Sequence, residues 1–210
     1  MRNRSLVVIV AAAAFLMGGL VVSVVHSQEK TAGDKKAPTP EEMMQIFVKY
    51  GTPGKEHEIF KSMVGKFDAD VTMAMPGAPA PDKSKGVTTN ELLFGGRYMH
   101  SDHAGTMMGQ PFKGKGLLAY DKLKEKYVNL WIDDMSTMVM VAEGTADASG
   151  KVITTTSKCK DPMDGQEKTM RGVMTIVDND HHTFEMFQLP GSSGEPESKC
   201  MTIKYTRAKG

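Results

Sequence analysis

Cysteine, tryptophan and net charge are what this 210-residue chain has least of. Two cysteines leave room for one bridge at most. With 26 Lys and Arg against 25 Asp and Glu, the formal charge is only +1. Such a chain has no bulk attraction to nucleic acid or anionic lipid, because steering needs an excess of one sign. Also absent are a Gly-x-Ser-x-Gly elbow, a cysteine with an evident histidine partner, and phosphate-loop or zinc-finger spacings. No nucleophilic enzyme signature is left. Hydrophobic content of 40% with 24% charge excludes disorder and a multispan membrane protein. The one excess is methionine: 18 in all, 16 of them beyond residue 27.

The first 27 residues read as an export leader. Arg2 and Arg4 precede an apolar stretch over 6–25, and Val25 and Ser27 suit cleavage before Gln28. About 20 apolar residues also suffice to span a bilayer, so an uncleaved N-terminal anchor is the rival reading. No cysteine ends the leader, which rules out a lipoprotein thioether. Both readings put the body outside the cytoplasm, in the periplasm or cell envelope, with the basic flank inside. Without the leader the net charge falls to −1.

Residues 28–40 are linker-like, rich in Lys, Gly, Thr and Pro without an apolar period. A helical lead-in is expected over 41–64. Thr39 can cap, Pro40 suits the first turn, and Glu41 and Glu42 face the positive end of the dipole. Met43, Met44, Phe47 and Val48 follow at helical spacing, and a second short helix is expected over 53–63. From Gly65 the period changes to two. Strands are expected over 65–75, 85–94, 98–105, 112–121, 126–133, 137–146, 151–160, 167–177, 183–189 and 198–207, with turn residues between them. Parallel β-α alternation is missing, which excludes a dinucleotide fold. About ten short antiparallel strands at even spacing predict a mainly β domain over 65–209, closed as a meander barrel because closure removes exposed edges.

Several short motifs follow one another along the chain: Gly95-Gly96-Arg97-Tyr98, the run from Gly105 to Gly114, Ala119-Tyr120-Asp121, Trp131-Ile132-Asp133, Glu143-Gly144, Asp161-Pro162 with Gly165, and Tyr205-Thr206-Arg207. In order and spacing they resemble the bacterial family known as domain of unknown function 1579, over roughly residues 62–209. The resemblance implies a fold and no activity. At the level of fold the chain is also similar to the lipocalin-like barrels called calycins. Gly65-Lys66-Phe67 stands where those barrels carry Gly-x-Trp, and Arg207 stands where their last-strand arginine crosses that aromatic. The likeness implies a structural latch between Phe67 and Arg207.

Candidate site residues come from alternation. In the strand 127–133 one face is Val, Leu and Ile, and the other is Tyr127, Asn129, Trp131 and Asp133. The second face is too aromatic for a routine solvent face, and a barrel lumen lined this way is a usual ligand site. A polar cluster of Arg97, Tyr120, Asp121, Trp131, Asp133 and Glu143 at one barrel end is the working expectation. The bland alternative has Asp121 and Asp133 bonding turn amides while Trp131 fills core. His100 and His103 face opposite sides of a strand, which disfavours a metal pair. His181 and His182, beside Asp178 and Asp180, read as a solvated turn, and no metal, haem or other cofactor is implied. Cys159 and Cys200 could pair only from neighbouring strands, closing a loop worth roughly 4 kcal/mol; two buried free thiols are the alternative. The methionines, scattered over several elements, read as adaptable filler rather than a copper(I) store.

Three functions remain open. The first is a non-enzymatic binder of a small lipophilic molecule. The second is an enzyme using Asp121, Asp133 or Glu143 as acid or base with Arg97 as an anion clamp. The third is an envelope domain without a pocket.

Overall fold

A computed structural model describes residues 37–74, 78–191 and 196–209. The leader expected over 1–27, and the linker as far as residue 36, lie outside the described residues. All elements belong to one unit, Thr39–Gly210.

Helix α1 (Pro40–Gly51) begins as its sequence dictates. The Thr39 hydroxyl accepts from the Glu42 amide at 3.2 Å, and the Thr39 amide donates to the Glu42 carboxylate at 2.7 Å, a reciprocal capping box. No α1 residue is buried, so Met44, Phe47 and Val48 stand exposed. The second helix divides. A 3₁₀ turn, Lys55–His57, precedes α2 (Glu58–Met63), because Pro53-Gly54 favours a turn and the His57 ring takes the Gly54 amide at 3.1 Å.

Ten strands follow: β1 (Gly65–Met73), β2 (Asp82–Leu93), β3 (Tyr98–Met107), β4 (Gln110–Asp121), β5 (Lys126–Asp133), β6 (Met140–Ala146), β7 (Val152–Lys160), β8 (Glu167–Ile176), β9 (His181–Gln188) and β10 (Ser198–Arg207). Each pairs antiparallel with its sequence neighbours, and β1 pairs with β10 to close the barrel. The fold is the expected one. Strand β6 begins three residues late. Asp133 Oδ1 captures the Met135 amide and Ser136 Oγ the Met138 amide, so local side-chain acceptors displace the ladder there.

A meander has two ends. The turns β2–β3, β4–β5, β6–β7 and β8–β9 share one end with the helices. There Phe60 and Met63 of α2 are fully buried among Met99, Leu118, Tyr127, Ile153 and Ile176. Burial of each is worth about 1.5–3 kcal/mol, so α2 acts as a plug held by its own apolar face. Lys122 Nζ in the β4–β5 turn donates to the Lys49 and Thr52 carbonyls and holds the end of α1 to the same rim.

Candidate functional site

Above the plug the lumen is not filled. A cavity of about 250 Å³ runs toward the end opposite the helices. Met63, Met99 and Met174 lie against the floor cluster, and Met140 is in register with Trp131. Farther along, Met73 is in register with Met201, which is in register with Met186; Met107 also reaches the wall. Eight methionines thus line one space, although the sequence scatters them over seven elements.

Trp131 lies against β4, where Gly116 is its register partner. A Cβ at Gly114 would stand 2.1 Å from the indole, so the Gly114-Lys115-Gly116 alternation makes the flat seat on which the ring rests. The indole Nε1 donates to Asp133 Oδ2 at 3.2 Å, and Asn129 also lines the cavity.

Two histidines stand in the wall. His103 shares a 2.8 Å hydrogen bond with the Thr88 hydroxyl, and burial lowers its pKa. Its ring fits because Gly86, across on β2, has no Cβ: one placed there would be 2.6 Å from the imidazole. His182 is 4% exposed. It stacks on Tyr205 with centroids 4.3 Å apart and meets Phe67 edge-on at 4.6 Å. Burial, and then the Arg207 charge, push its pKa down to about 4. The solvated-turn expectation is therefore corrected. His181 stays outside with Asp178, whereas the strand's two-residue period turns His182 inward. Burial also raises the Tyr205 phenol pKa.

Asn90 was not singled out by sequence reasoning. Its Nδ2 donates to the Met63 carbonyl at 2.8 Å, joining β2 to the plug. Its Oδ1 is a buried acceptor without a hydrogen-bond partner among the described residues.

The expected cluster divides between the two barrel ends. Asn129, Trp131 and Asp133 line the cavity. Tyr127 belongs to the floor: its hydroxyl donates to the Glu56 carbonyl at 2.8 Å, and burial, with Glu56 and Tyr120 nearby, pushes its pKa up to about 12. Tyr120 packs edge-on against Tyr127 and His57, and burial raises its pKa. Asp121 accepts from the Leu123 and Lys124 amides in the β4–β5 turn. Glu143 is ion-paired at 2.6 Å with Lys124, whose hydrogen bond lowers its pKa, and Arg97 bonds the Phe94 carbonyl on an exposed turn. The reason is height along the barrel. Tyr120 faces Tyr127, but Trp131 lies four residues farther along β5, about 13 Å away at strand rise.

Arg207 spans the closing seam. Its guanidinium sits 4.5 Å over the Phe67 ring and donates to the Val64 carbonyl at 2.7 Å and the Ser62 carbonyl at 3.0 Å. Asp180 Oδ1 accepts from its Nε at 2.9 Å. Cys159 on β7 and Cys200 on β10 are both free, with β8 and β9 between them in the sheet; burial raises both thiol pKa values. The structure carries the two as thiols on strands that are not neighbours. Among the described residues, no three His, Cys, Asp or Glu are grouped to hold a metal.

The family model described as "Protein of unknown function (DUF1579)" matches residues 52–207, from just after α1 through all ten strands. This chain belongs to that family. No curated protein matches the chain. Among solved structures, this DUF1579 member is similar in fold to Rv2717c from M. tuberculosis, at TM-score 0.56 and 12% identity, over 75% of this chain and 100% of the other. It is also similar to the S-type phycobiliprotein lyase CPES from Guillardia theta, at TM-score 0.50 and 12% identity, over 75% of this chain and 99% of that one. At such identities the likeness establishes a shared calycin-like barrel.

Proposed function

We propose that this DUF1579 protein is a non-enzymatic binder that holds one small, partly apolar molecule in its barrel. The observation that carries the reading is the unfilled lumen: about 250 Å³, plugged at one end by Phe60 and Met63 and walled by eight methionines and several aromatic side chains interspersed with polar ones. Apolar space with a few polar groups is how barrels present ligand sites. An apolar cavity of about 150 Å³ accepts benzene, so the occupant here is only somewhat larger. Likeness to a phycobiliprotein lyase supports the reading at the level of fold alone.

The acid–base alternative draws less support from the side chains' partners. Asp121 and Glu143 bond a turn and a lysine outside the lumen, and Arg97 is remote from Asp133 along the barrel. The envelope-domain alternative, a domain without a ligand pocket, is disfavoured by a cavity of about 250 Å³. Export remains our reading of the leader: Arg2, Arg4 and the apolar run over 6–25 support release into, or anchoring at, the cell envelope.

Native mass spectrometry of protein purified from its own host is the test. A co-purified species of fixed mass, released on unfolding, is expected. An empty protein that also shows no quenching of Trp131 across a panel of lipophiles would overturn the binder reading. N-terminal sequencing of the mature protein decides the leader: a start at Gln28 supports cleavage and rejects the anchor.

A further inference from the structure

The wall of the cavity is specific in charge as well as apolar. Its lining includes no lysine and no arginine among the described residues. The charged side chains present are two carboxylates, Asp82 at the start of β2 and Asp133 at the end of β5, both toward the end remote from the plug. Asp82 accepts from the Met108 amide at 3.2 Å, and Asp133 accepts from Trp131 and from the Met135 amide. The two wall histidines supply no positive charge at neutral pH, since burial holds both neutral. An anion entering this lumen would pass carboxylates and find no lysine or arginine in the wall among the described residues to offset its desolvation.

Near the floor the wall holds an unused acceptor. The Asn90 amide has a fixed orientation, because Nδ2 is committed to the Met63 carbonyl at 2.8 Å. Oδ1 is left buried and without a partner among the described residues, with Asn90 only 3% exposed. An unpaired buried acceptor is costly until a donor reaches it. The unbranched methionine chains around the lumen can yield to admit one, and thioether sulfurs pack favourably against aromatic rings.

We propose that the ligand is an uncharged aromatic molecule of about ten non-hydrogen atoms, scaled from benzene in about 150 Å³, whose single hydrogen-bond donor is accepted by Asn90 Oδ1. This inference rests on the lumen-binding reading. It excludes fatty acids and other carboxylates as the natural occupant.

Three probes of one skeleton test it by calorimetry at pH 7 on the folded wild-type protein: 4-ethylphenol, 4-ethylanisole and 4-ethylbenzoate. The phenol carries the donor, the anisole lacks it, and the benzoate is an anion. The phenol is expected to bind about two- to twelvefold tighter than the anisole, the range of one net hydrogen bond, and the benzoate at least about tenfold weaker than the phenol. In Asn90→Leu the phenol should lose its advantage while the anisole is unaffected. Equal binding of phenol and anisole, or tight binding of the benzoate, overturns the inference and leaves lumen binding standing. Failure of all three to bind overturns the inference together with the reading beneath it. The wild-type series decides the matter even if Asn90→Leu, which also loses the Met63 bond, does not fold.

Discussion

The Arg207 guanidinium lies 4.5 Å over the Phe67 ring, across the register pair where β10 closes onto β1. Because it also donates to the Ser62 and Val64 carbonyls, one side chain ties the seam to the end of the plug. Arg207→Met keeps the aliphatic stem and removes every donor. A loss of roughly 2–4 kcal/mol is expected, from half-buried carbonyls left without a charged donor and from the lost ring contact. Urea unfolding measures it. A loss under about 0.5 kcal/mol would show that the seam holds without the latch.

At Gly114 the expectation concerns shape. A methyl group there occupies the place of the Trp131 ring, 2.1 Å from the nearest indole carbon. Gly114→Ala should therefore displace the indole, shift its emission and cost about 1–3 kcal/mol by overpacking. Since Trp131 is the one tryptophan of the chain, the fluorescence change reports this wall alone. Unchanged emission with unchanged stability would contradict the seat described above.

Acid should destabilise the fold through His182. Its folded pKa is pushed down to about 4, against 6.5 as the ordinary value. Between those limits the unfolded chain binds a proton that the folded chain refuses. Stability therefore rises with pH across that window and is lost as pH falls through it. The full effect is roughly 3 kcal/mol, and His103, also lowered by burial, acts in the same direction. Arg207 is the charged group acting on the ring, and Tyr205 is stacked against it. His182→Phe should flatten the dependence of unfolding free energy on pH over this range. Parallel curves for variant and wild type would refute the assignment.

Removing the Tyr127 hydroxyl should separate the two barrel ends. Tyr127→Phe leaves the Glu56 carbonyl without its 2.8 Å donor and is expected to cost about 1 kcal/mol. Glu143→Gln breaks only a solvent-screened pair with Lys124, so it should cost less stability than Tyr127→Phe. Neither variant should change the affinity of a ligand in the lumen, because neither residue lines it. A tenfold loss of affinity in either variant would return the site to the plugged end.

Parity was legible in the sequence, and height was not. The alternation of Tyr127, Asn129, Trp131 and Asp133 identified an inward face, and turn residues such as Asp178-Asn179-Asp180 marked nearly every strand boundary. Position along the barrel axis depends on register between strands, which a single strand's pattern does not carry. Asp121 and Glu143 were therefore grouped with Trp131 although they belong to the other end. The same limit hid Asn90, whose partner Met63 lies 27 residues earlier in the plug, and His182, whose polar doublet reads as solvent until strand β9 is known to begin there. The cysteine question turns on strand order, and the expected meander already places two strands between those of Cys159 and Cys200.

The methionine wall gives the lumen compliance. Branched or aromatic linings hold a fixed outline, whereas eight unbranched chains can rearrange around an occupant with little strain. Such a container sorts its contents by polarity rather than by silhouette. A homologous series lengthened one methylene at a time should lose affinity gradually at its upper end, without the abrupt cut-off of a rigid pocket. On the proposed binding reading, the lumen methionines act as a tolerance for shape inside a barrel whose plug is buried and whose seam Arg207 ties.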